Sequence, residues 1–392
     1  MSKPTVLIVG AGVAGLETLM ALRHLAGDLA DVALIAPEEE FVDRPMLVAE
    51  PFGTGRPRRH SLPEIAADHD AGLIGSAVVA VDAAQRRVVV SSGASVTGDF
   101  LVIASGARRR PVLPGAITFP QTGASQAIGD MLAALEHGEV RRVAFVAPSV
   151  ACWTLPLYEL ALMTAHRIAA RAVRDAELFL ITPESAPLAV FGSRPSAMVE
   201  RLLRAAGIEF IGSTYAEAVE DGLALGVGGP PLAVDRVVAL PLLVGAAPEG
   251  VPARPPYGFV PVDRHGRVAG LEHVYAAGDV ADLHVKQGGL AAQQADVVAA
   301  DIASELGAPV DPQPFRPVLR GMLLTGAEER FLRTRGGRDD AAWHPLWWPP
   351  TKIAGRHLAP YLFAHGKLDA PALPPAPFMD LEVPLSVGTV PD

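Results

Sequence analysis

The stretch TVLIVGAGVAGLETLMALRHLAGDLADVALIA, residues 5 to 36, decides how the rest of the chain is read. Residues 5–9 are apolar and rich in β-branched side chains, the pattern of a buried strand. Gly10-Ala11-Gly12-Val13-Ala14-Gly15 follows at once, apolar residues then recur at helical spacing over 16–25, and 32–35 reads as a second strand. A strand, GxGxxG, helix and strand within about 30 residues is the pattern of a dinucleotide-binding unit. Gly10, Gly12 and Gly15, with Ala14 among them, allow a sharp turn and the close approach of a pyrophosphate. The helix behind them offers free N–H groups and a positive dipole end. An acidic residue that receives the ribose is expected at the end of the second strand, about 20 residues past the glycines. Ala36 stands there instead. Glu38 is the candidate substitute, although Glu38, Glu39 and Glu40 read equally well as solvated surface charge.

Two further segments extend this pattern. Residues 101–107 form a strand ending in a small-residue turn that contains Ser105 and Gly106, and residues 274–280 form another ending in Gly278-Asp279. Lys286-Gln287-Gly288-Gly289 then leads into an alanine-rich helix over about 290–306. With the glycine loop, these segments resemble the three FAD signatures of flavoproteins built on two dinucleotide-binding domains. The resemblance implies FAD as cofactor, with Asp279 on its ribityl chain and the following helix pointing at the flavin N1 and C2 carbonyl. Reduced flavin is anionic there, which a helix N-terminus stabilises. Lys286 would add a full positive charge at that place, although by itself it reads equally as a surface lysine.

The likeness narrows further. Phe41-Val42-Asp43-Arg44-Pro45, Lys286-Gln287-Gly288-Gly289, and Trp347-Trp348-Pro349-Pro350-Thr351-Lys352-Ile353 through Tyr361-Leu362 are similar to segments of the pyridine nucleotide-disulfide oxidoreductase superfamily. Within it they most resemble the sulfide:quinone oxidoreductase and flavocytochrome c sulfide dehydrogenase branch, with type II NADH dehydrogenases close by. This resemblance covers most of the chain. It implies an α/β fold of two Rossmann-like dinucleotide-binding domains plus a C-terminal segment. An FAD domain would comprise 1–125 and 245–315, a second domain 126–244, and a capping or interface segment 316–392. Arg44, Ser105, Gly106, Gly278, Gln287 and Gly288 join the glycine loop, Glu38, Asp279 and Lys286 as candidate cofactor residues.

The middle of the chain departs from that pattern. VAFVAPSVACWTLPLYELA, residues 143–161, reads as strand, turn and helix, yet the turn Ala147-Pro148-Ser149-Val150-Ala151-Cys152 holds no glycine. Side chains there crowd the approach of a pyrophosphate, and Pro148 lacks an N–H donor. A conventional nicotinamide nucleotide site is therefore not expected. Cys152 is the only cysteine. The sulfide-oxidising branch carries a reactive cysteine after this strand, ahead of a Pro and a Tyr-Glu pair, and Cys152, Pro156 and Tyr158-Glu159 resemble that arrangement. The resemblance implies that Cys152 and Lys286 act in catalysis. Those enzymes use at least one more cysteine, which this chain lacks. Buried, inert cysteine is the competing reading of Cys152.

Composition bounds the rest. Of 392 residues, half are apolar and 19% charged, so a large core is expected rather than disorder. A net charge of −10 opposes a nucleic-acid partner. A single cysteine precludes an internal disulfide and fits a reducing, cytoplasmic setting, with peripheral contact at the inner face of a membrane left open. No His or Cys cluster has metal-ligand spacing, so no metal is expected. Residues 143–165 are long enough for a membrane span, but Pro148 and Pro156 interrupt them, and strand-turn-helix accounts for them without a bilayer. Trp343, Trp347 and Trp348 read as core packing or a homodimer contact, or else as a wall over the flavin or a quinone entrance. Three functions remain: a flavoenzyme passing electrons from a small-molecule donor to a quinone or another acceptor, an NAD(P)H-dependent flavin or quinone reductase, and a noncatalytic flavoprotein subunit.

Overall fold

The computed structural model describes residues 3–149, 153–219, 222–226 and 230–365. Its first sheet is fully parallel, in the order Val274–Ala276, Phe100–Ile103, Thr5–Val9, Asp31–Ile35 and Gly72–Ile74. A parallel sheet is covered on both faces, which explains why its central strands read as continuous apolar runs. Alternate side chains separate the two faces. Val6, Ile8, Phe100 and Val102 pack under the helices Val13–Ala26 and Gly288–Glu305. Leu7, Val9, Leu101 and Ile103 pack instead on the antiparallel strands Val78–Asp82 and Arg87–Val90, through Val81, Val88 and Val90. The two helices carry Ala14, Ala291 and Ala295 into their shared core, and these small side chains permit close packing.

A second parallel sheet runs Ile117–Thr118, Arg236–Ala239, Arg142–Val146, Glu177–Ile181 and Ile208–Ile211. Val143, Phe145, Leu178 and Leu180 meet Ile128 and Leu132 of the helix Ala124–Glu136, Leu157 and Ala161 of Leu155–Ala170, and Val199 and Leu203 of Ser193–Ala205. The opposite face, including Val146 and Ile181, is closed by Ala216 and Leu223 of the hairpin formed by Ala216–Val219 and Gly222–Leu225. The apolar run at 143–165 is thus a strand and a separate helix. No helix among the described residues is long and apolar enough to cross a membrane. Ala107–Arg110 and Leu242–Gly245, which pair antiparallel, carry the chain between the two sheets.

The C-terminal part joins both cores. Val318–Leu323, Arg330–Arg335 and Arg338–Ala342 form an antiparallel sheet, and Leu319, Leu323 and Leu332 enter the core of the second parallel sheet. The chain then crosses back, and Ile353, Leu358 and Leu362 enter the core of the first. The helix Leu358–His365 packs on Val13–Ala26.

Gly15 marks the tightest point of this architecture. A Cβ there would lie 1.9 Å from the Gly10 carbonyl oxygen, so only glycine lets the helix start press onto its own loop. Gly15→Ala should therefore destabilise the protein by about 1–3 kcal/mol, the usual cost of overpacking. In urea the midpoint should fall with an unchanged slope, and an unchanged midpoint would show that the loop relaxes freely.

Candidate functional site

A cavity of about 590 Å³ opens where the ends of the first-sheet strands face the start of the Leu155–Ala170 helix and the returning C-terminal segment. Its floor is the glycine loop, with Gly10, Gly12 and Ala14 in the lining. Gly10 has φ +106°, and a Cβ there would lie 2.4 Å from the Ala104 carbonyl oxygen, so the turn requires glycine. Gly12 differs in kind. A Cβ on it would meet nothing within 4 Å, although the residue lines the cavity. Its missing side chain leaves open space for a ligand at the N-terminus of the Val13–Ala26 helix.

The other sequence candidates converge here. Ser105 and Gly106 line the cavity, and Ser105 Oγ is buried with no hydrogen-bond partner among the described residues. Gly278 has φ +81°, and a Cβ there would stand 2.8 Å from that of Ala14, so the Gly278-Asp279 turn fits against the start of the first helix. Burial pushes the Asp279 carboxyl up, and the charges of Lys286, Arg109 and Arg44 pull it back. No hydrogen bond joins it to another described residue, so it offers acceptors to whatever fills the cavity. Arg44 opens the turn of 3-10 helix Arg44–Phe52 and also lines the cavity. Arg109, whose pKa is lowered by burial and by Arg44, adds a cation that the sequence reading left out.

Lys286 is not a surface lysine. It is 5% exposed, donates to the Ala281 carbonyl, and holds its ammonium 3.7 Å from the centre of the Phe259 ring. Burial lowers its pKa to about 8, against the pull of Asp279 and Asp282. Gln287 acts within the protein: its side chain caps the Gly288–Glu305 helix by accepting from Leu290 N at 2.9 Å, and donates to the Arg320 carbonyl at 3.2 Å. Gly288 lies beside it in the lining. Glu38 reaches the lining too, as does Glu40, although Glu40 also pairs with Arg59 at 2.9 Å. An open space at Gly12, an orphaned hydroxyl at Ser105, a carboxylate at Asp279 and three cations together fit a dinucleotide cofactor with a polyhydroxyl chain and a pyrophosphate.

Beyond the glycine loop the wall changes character, with Phe119, Trp153, Leu155, Pro156, Met322 and Ile353 lining it. Cys152 lies outside the described residues, as does the proline-rich stretch from Ala370. Trp347 is 3% exposed and packs edge-on against Phe331, Trp348 packs on Phe363, and Trp343 stands 66% exposed. None of these three belongs to the lining; the tryptophan that does is Trp153.

In this apolar wall sits an ion pair. Glu159 is fully buried, and Lys352 Nζ stands 2.5 and 2.6 Å from its two oxygens. The Leu324 N–H donates to the same carboxylate at 2.8 Å. Burial pushes the Glu159 carboxyl up, and the Lys352 ammonium opposes that shift. Asp43, also pushed up by burial and drawn down by Lys352 and Arg58, has an Oδ1 buried without a hydrogen-bond partner among the described residues. The sequence hinted at Glu159 and Lys352 only as parts of separate segments. Elsewhere Glu17, Asp296 and His357 come together from distant parts of the chain, which no spacing rule anticipates.

Two substitutions test this site. A Cβ on Gly12 meets no protein atom within 4 Å and the backbone is ordinarily extended at φ −80°, so Gly12→Val should fold normally yet purify colourless. Retention of stoichiometric flavin would show that the pyrophosphate lies elsewhere. Asp279→Ala should weaken cofactor binding by about 1–3 kcal/mol, the cost of losing a charged hydrogen-bonding group, read by flavin release on dialysis.

The sequence pattern of the pyridine nucleotide-disulphide oxidoreductase family matches residues 4–295. Among solved structures, the chain is similar to the sulfide:quinone oxidoreductase of Aquifex aeolicus at 20% identity and TM-score 0.78, covering 87% of each chain. It is also similar to a ferredoxin reductase of Rhodopseudomonas palustris, at 22% identity and TM-score 0.63, over 85% of this chain and 83% of that one. At such identities these likenesses speak for the fold alone. A further relative is the ferredoxin–NAD(+) reductase subunit of the benzene 1,2-dioxygenase system of Pseudomonas putida, 31% identical over 135 residues. That alignment spans 32% of this chain and 33% of the relative. The glycine loop, the Gly-Asp turn and the match over most of the chain lead to one conclusion: the protein belongs to the pyridine nucleotide-disulphide oxidoreductases and is an FAD-dependent oxidoreductase.

Proposed function

We propose that this flavoenzyme takes two electrons from a small-molecule donor and passes them to a quinone or a similarly flat, apolar acceptor. The observation that carries the reading is the buried Glu159–Lys352 pair in an otherwise apolar cavity wall. A quinone that accepts two electrons also takes up two protons, and a carboxylate beside an ammonium can hold and move a proton at that wall. Apolar side chains from Trp153, Leu155 and Met322 suit a flat ring and keep water away. FAD, when bound, supplies the two-electron chemistry. Gly10, Gly12 and Ala14 would receive its pyrophosphate, with Gly15 behind them letting the helix pack on the loop, Ser105 and Asp279 its hydroxyls, and Lys286 with the start of the Gly288–Glu305 helix the negative charge of its reduced form. The sulfide:quinone oxidoreductase among the structural neighbours supports this reading by its shared fold.

A second reading, reduction by NAD(P)H, is favoured by the ferredoxin–NAD(+) reductase relative. Two features weigh against it. Ala147 is fully buried and Pro148 follows it where a nucleotide loop would present N–H groups. Glu184, just past the second strand of that sheet, is held inward by Tyr158 Oη at 2.8 Å and Thr182 Oγ1 at 3.2 Å. A ribose-binding acid would have to be free of such partners.

Anaerobic holoprotein should remain oxidised with NADH and NADPH. After photoreduction it should be reoxidised by a short-chain benzoquinone. Bleaching by NADH with low-micromolar half-saturation would overturn this reading and support the second. If the donor is a sulfur compound, Cys152 is the one thiol able to react with it. Cys152→Ser should then retain flavin and lose bleaching by sulfide or thiols, while full bleaching in the variant would place the donor chemistry elsewhere.

A further inference from the structure

We infer that Glu17 is a positioning residue that sets Lys352 in the cavity wall, an inference that rests on the acceptor-site reading above. Glu17 lies on the Val13–Ala26 helix and is fully buried, on a stretch where Leu16, Leu19 and Met20 are buried too. A carboxylate at such a place needs partners, and besides Asp296 of the Gly288–Glu305 helix those it has belong to the far end of the chain. Glu17 Oε1 accepts from His357 N at 2.7 Å and Oε2 from Leu358 N at 2.8 Å, across 340 and 341 residues. These N–H groups stand at the N-terminus of the Leu358–His365 helix, where the dipole also favours an anion. Gly355 makes the approach feasible, since a Cβ there would lie 2.4 Å from Glu17 Oε2.

The same segment is fixed at its other end. Trp347 Nε1 donates to the Thr351 carbonyl at 3.0 Å, and Thr351 Oγ1 to that of Ile353 at 2.7 Å. Lys352 lies between the two anchors, with its ammonium on Glu159, and Ile353 beside it lines the cavity. Ile353 Cγ1 would stand 3.6 Å from a Cβ built on Gly288, at the start of the Gly288–Glu305 helix. The path from Glu17 to Lys352 is therefore one short, doubly tethered stretch of backbone. His357 beside it is kept neutral near pH 7, its pKa pushed down to about 4 by burial and by His24 and Arg356. Burial pushes the Glu17 carboxyl up, and the N–H groups of His357, Leu358 and Arg356 with the Asp296 side chain draw it back, so the anchor is the set of hydrogen bonds it makes.

The test uses the holoprotein with Glu17→Ala, Glu17→Gln, Lys352→Met and the double variant Glu17→Ala/Lys352→Met. Trypsin reads the tether, because Lys352 and Arg356 are its cleavage sites. Reoxidation of photoreduced protein by a short-chain benzoquinone reads the acceptor site. Glu17→Ala should keep its flavin, be cut after Lys352 or Arg356 at least about tenfold faster, and be reoxidised about tenfold more slowly. The double variant should be no slower than Lys352→Met, the non-additivity expected of two residues on one path. Glu17→Gln, which keeps the shape and one acceptor, should fall between wild type and Glu17→Ala in both assays. It also serves if the alanine variant fails to fold. Additive losses in the double variant, or a Glu17→Gln protein indistinguishable from wild type, would overturn the assignment. Wild-type protein that benzoquinone fails to reoxidise would overturn the acceptor reading instead, and unchanged cleavage after Lys352 and Arg356 in Glu17→Ala would separately overturn the tether.

Discussion

Glu159 places a carboxylate out of reach of bulk solvent, and Lys352 is what allows it to stay. Removing either ion from solvent costs several kcal/mol, and their attraction offsets this only when the geometry is tight. Here it is tight, with both carboxylate oxygens within 2.6 Å of the ammonium and the Leu324 N–H on one of them. Such a pair adds little net stability compared with apolar residues of similar shape, but loss of one partner costs about 3–5 kcal/mol. Its effect is on geometry. Lys352 comes from a segment that belongs to neither parallel sheet, and Glu159 from a helix of the second sheet. The pair ties the two together at the cavity wall, where both residues lie.

The same logic explains why the C-terminal segment enters two cores. Leu319, Leu323 and Leu332 contribute to one, Ile353, Leu358 and Leu362 to the other. Apolar burial is not directional, and by itself it would hold the two halves together without fixing their register. Polar contacts, buried at Glu17 and Glu159 and exposed at Asp339, restore direction. Arg194 N bonds to Asp339 at 2.8 Å beside Gly192, whose missing side chain leaves room for that carboxylate. Glu17, Glu159 and Asp339 thus each join this segment to an element distant in sequence.

These contacts divide what the sequence discloses from what it conceals. The glycine loop, the strand before it and the Gly-Asp turn are legible because each is a local demand: a positive φ at Gly10, an empty side-chain position at Gly12, a close approach at Gly15. The Val13–Ala26 helix begins inside the glycine motif, with Gly12 before its first residue and Gly15 in its first turn. Lys286 is read from its neighbours as either surface or site, because its burial depends on the Phe259 ring, 27 positions away in sequence by their residue numbers. The Glu159–Lys352 pair spans 193 residues, and no periodicity marks either residue as the partner of the other. The tryptophans divide for the same reason: core packing describes Trp347, 3% exposed against Phe331. Trp343, Trp347 and Trp348 cluster in sequence, but the one at the cavity is Trp153, which an apolar stretch conceals.

The second sheet raises a different question, because it keeps the strand-helix alternation of a nucleotide-binding unit with no glycine in the turn at residues 147–152. The first sheet leaves its ligand-facing groups unsatisfied: Ser105 Oγ has no partner among the described residues, and Gly12 faces open space. At the corresponding edge of the second sheet, the polar groups satisfy one another. Tyr158 Oη donates to Glu184 and accepts from Leu188 N at 3.2 Å, and Thr182 Oγ1 accepts from Glu184 N while facing its carboxylate. Buried polar groups are costly when unpaired, and these internal bonds satisfy the ones at this edge. Burial pushes the Glu184 carboxyl up, while Tyr158, Thr182 and Thr154 hydrogen-bond to it and draw it down. An edge closed in this way serves as a wall. It leaves the Leu155–Ala170 helix free to present Leu155, Pro156 and Glu159 to the cavity from its first turns, where a nucleotide-binding helix would present bare N–H groups to a phosphate.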